Sequence, residues 1–182
     1  MITTHVYIGS SLDGYIARKD GSFDWLVPFG DEEAIEAYKE FIAGIDLLII
    51  GRGTYETVLG FPAWPYDLPV VVLSRTLETN PPGIKENVSI SGLEPKQLLR
   101  KLDEEGIRSV YVDGGKVIQS FLAEDLIDEL IIAHVPVLIG DGIPLFGRID
   151  RDLKFEHKRT ASFPNGLVRS YYKRIRSKTT DI

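Results

Sequence analysis

The sequence predicts an α/β fold: a central, mostly parallel sheet of about eight strands, helices on both faces, and an antiparallel hairpin at the C-terminus. Three observations predict it. The runs 46–50 and 70–73 are almost wholly apolar and bounded by turn formers, as in parallel strands buried on both faces. Apolar runs alternate with amphipathic segments until about residue 140, the order of βαβ units. Finally, Pro164-Asn165-Gly166 separates two long extended stretches, a hairpin signal.

Each element has its own local reason. Residues 3–8 are rich in β-branched and aromatic side chains and form the first strand. Asp13-Gly14 marks a turn, and 18–30 is irregular around Phe23, Trp25 and Leu26. Residues 31–42 form a helix with Asp31 at its N-cap, glutamates in its first turn, and Ala34, Ile35, Tyr38, Phe41 and Ile42 at helical spacing. Gly44 stops it. Strand 46–50 leads into a short helix at 54–59, and Phe61 to Pro65 breaks regular structure. Strands at 70–73 and 88–90, a helix at 95–105, a strand at 109–112, a helix at 116–123 and a strand at 130–137 complete the alternation. The hairpin strands are 153–163 and 167–175, and 177–182 are expected to fray. With no repeat, low-complexity block or linker, 1–182 reads as a single domain.

Composition excludes several classes. The chain has no cysteine, which removes disulfide scaffolds, thiol nucleophiles and thiolate metal sites together. A net charge of −6 with no Lys/Arg run argues against nucleic acid as a partner. There is no signal-peptide pattern and no apolar stretch near the roughly 18 residues of a membrane span. A cytoplasmic protein without membrane contact is the expectation. His5, His134 and His157 show no ligand spacing, so no metal is assigned.

Three strand ends carry chemistry. Ile50-Gly51-Arg52-Gly53-Thr54-Tyr55-Glu56 joins a buried strand to a helix, where free N–H groups, the dipole and Arg52 suit an anion. It fits neither the GxGxxG nor the GxxxxGK[ST] pattern; a tight turn with a solvated arginine explains it equally well. Leu73-Ser74-Arg75-Thr76 pairs a hydroxyl with a guanidinium, a combination suited to a monoester phosphate. Val112-Asp113-Gly114-Gly115-Lys116 repeats the strand, glycine, helix pattern. Together they describe a groove for an extended, multiply phosphorylated ligand at the carboxyl edge of the sheet.

These residues resemble the dihydrofolate reductase superfamily, and more closely the reductase domain of the bifunctional riboflavin-biosynthesis deaminase–reductase and its stand-alone relatives. The resemblance runs in order through Ser11-Leu12-Asp13-Gly14-Tyr15-Ile16-Ala17, the Gly51–Glu56 turn, Leu73-Ser74-Arg75, and Asp113-Gly114-Gly115-Lys116 with Phe121-Leu122. It continues through Asp128-Glu129-Leu130 and the segment from Pro136 to Phe146. It implies a dihydrofolate-reductase-like three-layer fold and NADPH as cofactor. It casts Gly51, Arg52, Thr54, Ser74 and Arg75 around the 2′-phosphate and pyrophosphate, with Gly114, Gly115 and Lys116 under the pyrophosphate and nicotinamide. Ile16 and Ala17 would give the cofactor apolar and backbone contacts, and Asp13 would sit beside nicotinamide and substrate as the catalytic candidate. A homodimer is also implied, with the apolar Pro136–Phe146 region as candidate interface.

The substrate is less defined. Trp25 and Asp113 are the candidate substrate residues, though Trp25, like Trp64, suits core filling equally well. Dihydrofolate reductases grip the pterin with a carboxylate on the first helix; Glu33 and Glu36 are the candidates here, and a solvated face explains them better. Pterins, ribosylaminopyrimidines and simple carbonyl compounds all fit as the small-molecule substrate of an NADPH-dependent reductase. The alternative is a nucleotide-binding regulatory or scaffold module without turnover.

Overall fold

The apolar runs occupy the middle of one eight-stranded sheet, and the amphipathic segments cover its two faces. The computed structural model describes residues 1–176; the expected fraying of 177–182 lies outside the described residues. In chain order the elements are β1 (Thr3–Ser10), β2 (Tyr15–Ala17), α1 (Glu32–Ile42), β3 (Leu47–Gly51), α2 (Arg52–Leu59), β4 (Val70–Leu73) and β5 (Val88–Ser91). There follow α3 (Pro95–Glu104), β6 (Ser109–Asp113), α4 (Gly115–Ala123), β7 (Glu129–His134), β8 (Ile143–Pro144), β9 (Phe155–Ser162) and β10 (Val168–Arg174). The main sheet has the order β5-β4-β3-β6-β1-β7-β10-β9. Its first six strands are mutually parallel, and β10 and β9 add antiparallel.

Connection direction decides the layers. From β1 to β3 and from β3 to β4 the chain steps one way; from β5 to β6 and from β6 to β7 it steps the other. Right-handed crossovers therefore put α1 and α2 on one face and α3 and α4 on the opposite face. The core follows this division. Leu98, Leu102, Ile118 and Phe121 pack on Val6, Ile49, Val110 and Val112, whereas Tyr38, Phe41 and Tyr55 pack on Leu48, Ile50, Val72 and Tyr111. The stepping direction reverses between β3 and β6, which are neighbours, and a crevice opens beyond the carboxyl ends of strands at such a reversal.

Local signals set most boundaries. Asp31 caps α1, its carboxylate accepting from the Ala34 N–H at 2.9 Å. The hairpin turns at Gly166, whose φ of +88° suits glycine, with the Phe163 N–H donating to the Leu167 carbonyl at 2.9 Å. Helix α2 begins at Arg52, two residues before the expected Thr54, because the backbone turns directly out of Gly51 without a capping side chain. The expected strand 130–137 ends at His134. The two-strand sheet of β2 and β8 was not foreseen; segments of three and two residues carry no periodicity to read. Among the described residues no helix is long and apolar enough to cross a membrane.

Candidate functional site

A cleft of about 1360 Å³ lies at the switch point between β3 and β6. Its floor is the end of β6 and its walls are strand-end turns, with β2 and the segment after it closing one side. Helices α2 and α4 both start in it, and neither has a side-chain cap. Their first-turn N–H groups are thus left for a ligand, with two positive dipole ends behind them. The two N-termini nearly touch. Gly114 has a φ of +97°, and a Cβ there would lie 2.3 Å from Thr54 Oγ1, so both its conformation and its neighbour require glycine.

All ten residues expected to hold the cofactor line this cleft: Ile16, Ala17, Gly51, Arg52, Thr54, Ser74, Arg75, Gly114, Gly115 and Lys116. They come from four separate stretches that only the sheet order brings together. Arg52 and Arg75 stand at the outer end, on the ends of β3 and β4, and both are largely exposed. Ser74 Oγ accepts from the Thr76 and Leu77 N–H groups at 3.3 and 3.1 Å, which fixes the turn that carries Arg75.

At the inner end stands Asp113, on the same face of β6 as Tyr111. Burial raises its pKa to about 6, while the Gly114 N–H at 2.9 Å and the adjacent Tyr111 hydroxyl act in the opposite sense. Among the described residues no cation pairs with it. Tyr7, Tyr38, Tyr66 and Tyr111 surround this end. Burial pushes Tyr38 up to about 12 and raises Tyr66 and Tyr111 well above the ordinary phenol value, and the nearby Asp113 charge adds to the effect in all three. These phenols stay protonated, and Tyr111 donates to the Tyr7 carbonyl at 2.7 Å. Behind Tyr7 lies Arg169, only 3% exposed, its guanidinium 5.5 Å from the Tyr7 ring and 4.7 Å from that of Phe163.

The structure places two expected site residues elsewhere. Asp13 does not line the cleft: it is exposed, and its carboxylate accepts from Ser11 Oγ at 2.6 Å, the Gly140 N–H at 2.7 Å and the Ile139 N–H at 3.3 Å. Those bonds, Ser11 first, hold its pKa below the usual 3.8 and staple the turn after β1 to the segment after β7. Trp25 is also outside. Its indole is 6% exposed and fills a small core with Ala133, Val135 and Leu167, while its neighbours Phe23 and Leu26 face the cleft. Trp64 packs edge-on against Tyr55 and Tyr66. The acids of α1 supply no grip: Glu33 is exposed and Glu36 pairs with Lys39 at 3.5 Å, so Asp113, from β6, is the acid at the cleft's inner end. Sequence reading missed the tyrosine shell and Glu94, and only the face shared by Tyr111 and Asp113 two residues apart hinted at the former.

The chain's relatives agree with this architecture. An uncharacterized Bacillus subtilis protein, YwjB, is 34% identical over 171 residues, 92% of this chain and 96% of that protein. A crystal structure from Shewanella sp. PV-4, assigned to riboflavin biosynthesis, superposes with a TM-score of 0.88 at 37% identity, covering 96% of this chain and all of that one. Dihydrofolate reductase from Enterococcus faecalis, complexed with NADP(H), shares the fold at a TM-score of 0.66 and 18% identity, over 94% of this chain and 96% of its own. Residues 4–169 match the family described as the RibD C-terminal domain. That match spans nearly the whole described chain, and the chain belongs to the RibD C-terminal domain family.

Proposed function

We propose that this protein is an NADPH-dependent reductase of a small heterocyclic or carbonyl substrate, of pterin or ribosylaminopyrimidine type. The observation that carries the reading is the pair of uncapped helix N-termini opening on one cleft that ends at a desolvated acid. An extended dinucleotide fits the arrangement: N–H groups of α2 and α4 for a pyrophosphate, guanidinium groups and Ser74 for a terminal phosphate, and the apolar Ile16 and Ala17 for a planar ring. Family membership and the NADP(H) complex of the distant dihydrofolate reductase support the same reading.

The cofactor, when bound, supplies the hydride; the chain supplies orientation and electrostatics. Lys116 and the first turns of α2 and α4 hold the phosphates. The tyrosine shell keeps water from the inner end and strengthens every charge interaction there. Asp113, neutral below about pH 6, donates its proton to the substrate atom that gains charge. Asp13 has no part in this chemistry.

Titration with NADPH, followed by its oxidation in the presence of a ribosylaminopyrimidine, a dihydropterin and a simple aldehyde, tests the proposal. Saturable binding with oxidation by one of these is expected. Absence of saturable binding defeats it, and binding without turnover on any of them favours a nucleotide-binding module. The chain also pairs as a homodimer on this reading, with exposed Leu138 and Phe146 in the interface. Sedimentation at only 20.4 kDa at micromolar concentration would count against the pairing.

A further inference from the structure

Both arginines at the outer end of the cleft already hold a carboxylate, and the two pairs differ in kind. Arg52 donates from Nε to Glu56 at 2.6 Å and from Nη1 to Thr76 Oγ1 at 3.0 Å; Arg52 and Glu56 are neighbours on one helix turn. Arg75 donates to Glu94, which stands on a different strand end. That pair spans the outer end, from the turn after β4 to the N-cap of α3. The main chain fixes where Glu94 stands: its N–H donates to Gln97 Oε1 at 3.4 Å in a capping box, and Pro95 opens the helix behind it. Glu94 lines the cleft together with Ser91 and Gly92.

A guanidinium at this place attracts a phosphate on the ribose, whereas a carboxylate there accepts from free ribose hydroxyls and repels a phosphate. The two demands are normally met by different proteins; here both groups face one outer end, in contact. We propose, on the reading that this cleft holds a nicotinamide dinucleotide, that Glu94 sets its discrimination between the phosphorylated and unphosphorylated cofactor by opposing Arg75. A ribose phosphate must draw Arg75 away from Glu94 and then sits beside an uncompensated carboxylate. A ribose hydroxyl meets that carboxylate as a donor. The preference for NADPH that Arg52 and Arg75 would give alone is blunted, and NADH is admitted as a second cofactor.

Dissociation constants for NADPH and NADH, measured by fluorescence titration of the full chain at fixed salt, test this in wild type, Glu94→Gln and Arg75→Ala. The Arg75–Glu94 pair is half-exposed, so each effect is modest: Glu94→Gln tightens NADPH about threefold and weakens NADH about threefold, widening the ratio about tenfold. Arg75→Ala narrows the ratio. If Arg75→Ala narrows it while Glu94→Gln leaves it within about twofold of wild type, the role of Glu94 is overturned and the reading of the cleft stands. If wild type binds neither dinucleotide saturably, the reading itself fails and the role of Glu94 falls with it. Should Glu94→Gln not fold, Glu94→Asn, a preferred N-cap residue, carries the same test.

Discussion

The outer end of the cleft, between Arg52, Arg75 and Glu94, and its inner end, around Asp113 and four tyrosines, solve different problems with different parts of the chain. At the outer end the charges are exposed and paired, and the N–H groups of two helix starts do the rest. Such groups are present in any strand–helix turn that lacks a side-chain cap, so binding an anion there costs the fold little. At the inner end the acid is desolvated and, among the described residues, without a cation, inside a shell of phenols that themselves resist ionisation. Holding a carboxylate there at neutral pH opposes folding. Recognition of charge can thus be left to the backbone and to solvated side chains, whereas proton donation needs a side chain moved off its ordinary pKa.

Asp113→Asn gives the largest separation of the two ends. Removing the acid should lower turnover by about 10²–10⁴ and leave cofactor affinity nearly unchanged. Stability should move the opposite way. A carboxyl whose pKa is about 6 folded and 3.8 ordinarily is best tolerated when protonated, so its relative contribution is full below 3.8 and is lost as pH rises through about 6. At pH 7 to 8 Asn should therefore be more stable by on the order of 1–3 kcal/mol, allowing for the cleft's solvent. The gain should vanish below pH 3.8. For the same reason wild-type turnover, which uses the protonated acid, should decline above about pH 6. Paired melting curves across that range check this; a variant less stable than wild type at neutral pH would show that the carboxylate is held by partners rather than strained.

Gly114→Ala should act at the junction of the two ends. Alanine at a φ of +97° is strained, and its Cβ would meet Thr54 Oγ1 at 2.3 Å. The cost to stability should be about 1–3 kcal/mol. Because the clash pushes the starts of α2 and α4 apart, NADPH and NADH affinity should fall together, unlike the opposed changes expected at Glu94. Gly115→Ala is a weaker control, its Cβ meeting side chains of Ile143 and Ile16 at 2.9 and 3.2 Å and the Pro144 carbonyl at 3.2 Å. Unchanged affinity in Gly114→Ala would show that the contact between the two helix starts is not what shapes the phosphate site.

How much of this was legible follows from the same contrast. The outer end is written in backbone chemistry, and backbone chemistry shows in sequence: Gly51, Gly114 and Gly115 mark turns, and the apolar runs before them mark strands buried on both faces. The inner end is written in placement. Tyr38 reads as a helix core position, Tyr7 and Tyr111 lie inside expected strands and Tyr66 in a stretch with no expected element, and only the sheet order gathers them around Asp113. Glu94 stands just before the helix expected at 95–105 and caps it in the structure; its pairing with Arg75 depends on β4 lying beside β5. Trp25 stands in an irregular segment where periodicity gives no facing, and its indole turned to the core while Phe23 and Leu26 turned to the cleft.

Asp13 sharpens the comparison by standing just outside both ends. It follows the first strand at the position where a substrate contact is expected, yet its carboxylate is spent on Ser11, Gly140 and Ile139. Asp13→Asn keeps one acceptor oxygen but replaces the other with an N–H₂ group that faces a main-chain donor. The staple between the turn after β1 and the segment after β7 should loosen, with a small drop in melting temperature. The sign with pH is opposite to that of Asp113. Asp13 has a lowered pKa, so its contribution is present above 3.8 and is lost as pH falls through the lower folded value; the difference between wild type and variant should fade in acid. Turnover should change far less than the 10²–10⁴ expected for losing a proton donor, because the carboxylate does not reach the cleft. A loss of two orders of magnitude in Asp13→Asn, at unchanged cofactor affinity and melting temperature, would return Asp13 to the chemistry and displace Asp113 from it.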